Sequence, residues 1–124
     1  MSTAEQPASG SGRILIFTGG LCGAAGVALA AAAAHLGGAF VGTAASFLLM
    51  HAPVFLAVGH VGANRILRSA SLVLLVGLVL FCSDLLARDF LGSRLFPMSA
   101  PIGGTLLIAG WLAVATSALM RPRS

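Results

Sequence analysis

Four ionisable side chains stand inside or at the edge of long apolar stretches of this sequence: His35, His51, His60 and Asp84. Holding such a group at membrane depth is costly, so each is a functional candidate. At 1.5 Å per helical residue, His51 lies roughly 16 Å and Asp84 roughly 21 Å from the surface that carries the chain's N-terminus. His35 closes the first apolar run near the opposite surface. This register can gather His51, Asp84 and His35 in one half of a bilayer. An Asp–His pair in a low dielectric can share or relay a proton, which is the chemistry of proton-coupled transport.

The same residues also support a purely structural account. Asp84 and Arg88 are i and i+4 on one helix, with the acidic residue first. Arg88 can extend to the interface while neutralising Asp84. His35 then rests at headgroup level, and His51 bonds a backbone carbonyl freed by Pro53. Both accounts stand open on the sequence.

Other chemistries fit less well. His51 and His60 point to opposite helix faces, and His35 and His51 differ in depth, so a haem ligand pair is not expected. Cys22 and Cys82 each lie inside an apolar run, and no Cys-x-x-Cys is present. That spacing suits neither a disulfide framework nor a zinc site. Neither Gly-x-Ser-x-Gly, His-Glu-x-x-His nor a phosphate loop occurs. The expectation is no enzyme, no metal and no cofactor.

Composition defines the elements that position these residues. Of 124 residues, 58% are hydrophobic and only 8% charged, against roughly 25% charged in soluble domains. A chain this short cannot hide so much apolar surface from water. That surface must face a lipid bilayer, and a mean hydropathy of +1.03 agrees. The net charge is +4. The arginines occupy gaps between apolar runs rather than one stripe, which argues against nucleic acid.

The expected architecture is all-α, an integral membrane bundle of four transmembrane helices. Four continuous apolar runs, about 14–34, 39–62, 70–87 and 101–120, each approach the ~20 residues that cross a bilayer. Continuous rather than alternating runs select helices over a barrel. Residues 1–12 are polar and small, in keeping with a disordered tail. The membrane domain covers 13–121, and 122–124 form a short tail. The first run is long for a signal peptide and has one preceding positive charge, so a retained helix is expected.

With four spans, Arg13, Arg65, Arg68, Arg121 and Arg123 share one side, and Arg88 and Arg94 the other. The excess of arginine leads to the expectation that both termini are cytoplasmic, and the expected location is a bacterial inner membrane. Gly19, Gly23, Gly26 and Ala30 share one face of the first helix, and Gly103 and Gly110 recur on the fourth. Such small residues permit close helix approach, within the bundle or in a homo-oligomer. Pro53 is expected to kink the second helix by removing a bond to the Leu49 carbonyl. Pro101 suits the first turn of the fourth helix. The indole N–H of Trp111, near the middle of that helix, requires a partner inside the bundle.

Several segments together resemble a known family. The first helix reads GLCGAAGVALAAAAAHL, the second LLMHAPVFLAVG, the third LVLFCSDLL and the fourth APIGGTLLIAGWLAVA. These are similar, in order, to the domain of unknown function 423 family, which includes the proteins called transmembrane protein 256. The likeness covers about residues 14–120 and implies a four-helix membrane protein without an established activity. The family's polar positions correspond to His35 and His51. Cys82, Ser83 and Asp84 stand where the family usually shows small neutral residues, and Pro53 where it shows an aliphatic one. The functional expectation is a non-enzymatic accessory or structural membrane protein, in a larger membrane complex or a homo-oligomer. The alternative is a small transporter or proton-conducting protein using His51 and Asp84.

Overall fold

The computed structural model describes residues 10–61 and 64–119. They form four helices: α1 Gly10–Leu36, α2 Ala39–Val61, α3 Arg65–Phe90 and α4 Ser99–Ser117. At 1.5 Å per residue even α4, with 19 residues, reaches about 29 Å, roughly the thickness of a hydrocarbon core. All four are long and apolar enough to cross a membrane, and the protein is an all-helical membrane bundle. Residues 10–12, expected in a polar tail, instead form the start of α1. The rest of that tail, the 122–124 tail, Arg121 and Arg123 lie outside the described residues.

Close backbone packing joins α1 to α2, α2 to α3 and α3 to α4. Among the described residues, α1 and α4 do not pack against each other. The molecule is thus two helical hairpins joined along α2 and α3. The start of α1 and the end of α4 lie at one end of the bundle, the terminal end. The α1–α2 turn and the 91–98 loop lie at the other, the loop end.

Phe55, Leu74 and Leu78 are fully buried where α2 meets α3, with Leu85 and Leu107 beside them. Large apolar side chains on the outer faces, among them Phe17, Val27, Val76, Val79, Ile108 and Leu112, are exposed. In water such surfaces would aggregate; in a bilayer they face acyl chains.

The expected small-residue stripes lie inside the two hairpins. A Cβ at Gly19 would sit 2.9 Å from the Ala52 carbonyl oxygen, and one at Gly26 2.7 Å from the Leu49 side chain. A Cβ at Gly103 would meet the Phe81 backbone nitrogen at 2.7 Å, and one at Gly110 the Leu74 side chain at 2.7 Å. Gly23 faces Ala52 at an ordinary 3.8 Å, whereas Ala30 is exposed. Without a hydrophobic drive between helices in lipid, this close approach is a main source of cohesion. Helix α2 continues through Pro53, which faces outward.

Asn64 caps α3, its Oδ1 accepting the Leu67 N–H at 2.8 Å. Its Nδ2 donates to the Ser117 carbonyl at 3.3 Å, tying the start of α3 to the end of α4.

Candidate functional site

His51 sits at mid-height on α2 and is 1% exposed. Its Nδ1 lies 2.7 Å from the Phe47 carbonyl oxygen. Its Nε2 lies 3.2 Å from Trp111 Nε1 on α4. An indole N–H only donates, so Nε2 must be the accepting nitrogen. The proton therefore resides on Nδ1 and is donated to Phe47. The partners alone define a neutral Nδ1–H tautomer. Phe47 stacks on the same ring, 11° from parallel. The carbonyl that His51 engages is thus that of Phe47, one turn back, and not the Leu49 carbonyl next to Pro53. The expectation that Trp111 needs an internal partner is met by His51.

A groove of about 290 Å³ opens beside this pair, lined by Phe47, Met50, Phe81, Leu107 and Ile108. It is apolar apart from His51 and Trp111, whose facing polar atoms are already bonded to each other.

Asp84 occupies the loop end of α3 and is completely buried. Its Oδ1 accepts the Ser99 hydroxyl at 2.6 Å and the Leu95 N–H at 3.0 Å. Arg88 Nε approaches Oδ2 to 3.0 Å, one turn along the same helix. The contact is an ion pair whose angle falls outside hydrogen-bond geometry, since neither atom has a hydrogen-bond partner. The Arg88 guanidinium also lies over the Phe40 ring, 5.4 Å from its centroid. Asp84 thereby holds the 91–98 loop and the first residue of α4 onto α3, and Arg88 carries the connection to α2.

Asp89, one residue on, makes a contact that sequence reasoning missed. Its Oδ2 accepts the backbone N–H groups of Phe40 at 2.9 Å and Val41 at 2.7 Å. These are orphan donors of the first turn of α2, and the carboxylate also opposes the positive end of that helix dipole. A residue from α3 thus performs the task of a local N-cap. The chain reaches α2 through Gly37 and Gly38, both with positive φ. A Cβ at Gly38 would sit 2.7 Å from Asp89 Oδ2, so glycine is needed there for both conformation and space.

The structure does not bring His51, Asp84 and His35 together. His51 is engaged by Phe47 and Trp111, while Asp84 is engaged by Ser99, Leu95 and Arg88. His35 and His60 are exposed on the last turns of α1 and α2, at opposite ends of the bundle. Cys22 and Cys82 are buried free thiols, and Cys82 Sγ lies 3.7 Å from the Ala44 carbonyl oxygen. Among the described residues no group of three or more His, Cys, Asp or Glu could hold a metal ion.

Chemically, both polar centres are helix-to-helix ties whose hydrogen-bonding atoms face partners within the chain. No curated protein and no solved structure matches the chain. The model of one family, described as Protein of unknown function (DUF423), matches residues 22–104. That span covers most of the membrane domain, including His51, Asp84 and the Gly103 contact, and the chain belongs to this family.

Proposed function

We propose that this small membrane protein is a non-enzymatic accessory or structural component of a bacterial inner membrane, with both termini cytoplasmic. The observation that carries this reading is the engagement of its buried polar groups. His51 is bonded at both ring nitrogens, and Asp84 meets a hydroxyl, a backbone N–H and a guanidinium. A proton carrier needs a site that gains and loses a proton in turn. A proton added to His51 Nε2 would set two donors against each other at Trp111. Polar groups held by partners on neighbouring elements instead give rigidity and define one arrangement of helices.

The orientation rests on arginine. Arg13, Arg65 and Arg68 stand at the terminal end and Arg88 and Arg94 at the loop end, where Asp84 and Asp89 offset them. Exposed loops are short, which leaves lipid and other membrane proteins as the surfaces available for contact. The partner is a larger membrane complex or a further copy of this chain.

The test is native purification in mild detergent, with mass spectrometry of co-purifying chains and an absorbance spectrum of the same sample. A reproducible stoichiometric partner supports the accessory role. Proton flux in proteoliposomes that is lost in His51→Ala, with insertion intact, would replace it with transport.

A further inference from the structure

The two hairpins leave a crevice between α1 and α3 at the terminal end. Its volume is about 190 Å³, and it is lined by Ser11, Ile14, Leu15 and Thr18 from α1 and by Arg68, Leu72 and Leu75 from α3. The two helices run parallel, and both sets recur at helical spacing along one face. Ser11 and Arg68 therefore stand together at the mouth, at interface depth. Leu15 with Leu72, and Thr18 with Leu75, follow one and two turns deeper. The crevice wall is almost wholly apolar, and the exposed guanidinium of Arg68 stands at its rim.

Its charge is uncompensated within the described chain. The Arg68 side chain is exposed and has no ion-pair or hydrogen-bond partner among the described residues. Arg13 and Arg65 lie on the same end of the bundle. Both acidic residues of the described chain, Asp84 and Asp89, lie at the loop end. Nothing acidic in the described structure competes for Arg68.

We propose that this crevice is a binding site for an anionic diacyl phospholipid, with one acyl chain lying between α1 and α3 and the headgroup phosphate on Arg68. Charge at the mouth and apolar walls below match the two parts of such a lipid. A free phosphate would leave the apolar walls unused, and a zwitterionic lipid would gain less from an unpaired guanidinium. The fork of a guanidinium suits a phosphate with two acceptor oxygens better than an ammonium would.

The test is native mass spectrometry of the full chain released from detergent, titrated with phosphatidylglycerol and, separately, phosphatidylcholine of the same acyl chains. The expected result is one preferred phosphatidylglycerol per chain, with weaker phosphatidylcholine binding. Arg68→Gln should lower the first phosphatidylglycerol affinity roughly fivefold. Leu72→Trp, which fills the crevice, should weaken both lipids. Arg94→Gln, at the loop end, should leave the first binding step unchanged. Thermal melting of each variant without lipid separates lost binding from lost folding. Equal affinity for the two lipids, or an unchanged first step in a folded Arg68→Gln, would overturn the proposal. So would a lipid-free dimer that Leu72→Trp dissociates, since a second copy would then occupy the crevice.

Discussion

Trp111 on α4 donates its indole N–H to Nε2 of His51 on α2, across a gap that the α3–α4 hairpin alone would not close. The bond links helices whose backbones do not pack directly, so it acts as a crosspiece between the two hairpins. Trp111→Phe keeps the ring and removes the donor. The expected loss of stability is about 0.6–1.7 kcal/mol, the range for interhelical hydrogen bonds in lipid. Nitrogen-15 NMR should show the Nδ1–H tautomer of His51 in both proteins, held by the Phe47 carbonyl, with the Nε2 resonance shifted in the variant, where it loses the indole donor. An unchanged Nε2 resonance would detach Trp111 from this role.

Asp89 holds the start of α2 from a distance. Asp89→Ala removes the acceptor for Phe40 and Val41 and should cost about 1 kcal/mol, as loss of an N-cap does. Hydrogen exchange should accelerate at those two amides and not at the start of α4. Asp89→Asn retains an acceptor and should recover most of the protection.

Ser99 and Leu95 depend on Asp84 in a different way. Asp84→Ala leaves the Ser99 hydroxyl, the Leu95 N–H and Arg88 without their shared partner. Breaking a buried charged pair on one side costs on the order of 3–5 kcal/mol, an upper figure here because Arg88 is partly exposed. Ser99→Ala removes one hydrogen bond to a charged group and should cost about 1.5–3 kcal/mol. Both losses are read as thermal melting in detergent, with faster exchange at Leu95 marking the loop as the element released.

Neighbouring glycines on α4 should respond in opposite ways. A Cβ at Gly103 meets the backbone of Phe81 at 2.7 Å, whereas one at Gly104 meets only the Phe81 ring edge at 4.0 Å. Gly103→Ala should force α3 and α4 apart and cost about 1–3 kcal/mol. Gly104→Ala should be neutral or slightly stabilising, since alanine favours the helix. Equal melting temperatures for the two variants would remove close approach as the reason for Gly103.

The class of the protein and its helices were legible in the chain because membrane insertion is a property of local composition. A run of about 20 apolar residues reports its location wherever it occurs. The i, i+4 pairing of Asp84 with Arg88 was legible for the same reason: helical spacing alone brings the two together. So was the need of Trp111 for a partner, because an indole N–H in lipid has no water to satisfy it. Which partner it takes was not legible. His51 lies 60 residues away, and only the crossing of α4 toward α2 selects it over other acceptors. The gathering of His51 with Asp84, suggested by their similar depths, did not occur. Depth fixes position along the membrane normal and says nothing of position within its plane. Asp89 shows the same limit from the other side. Its two amide partners are 49 and 48 residues distant, so no local capping pattern marks it. Sequence determined that four apolar helices enter a bilayer, since that depends on how each segment meets lipid. Tertiary structure decided which polar group meets which, since lipid supplies no partners and helix packing chooses among those that remain.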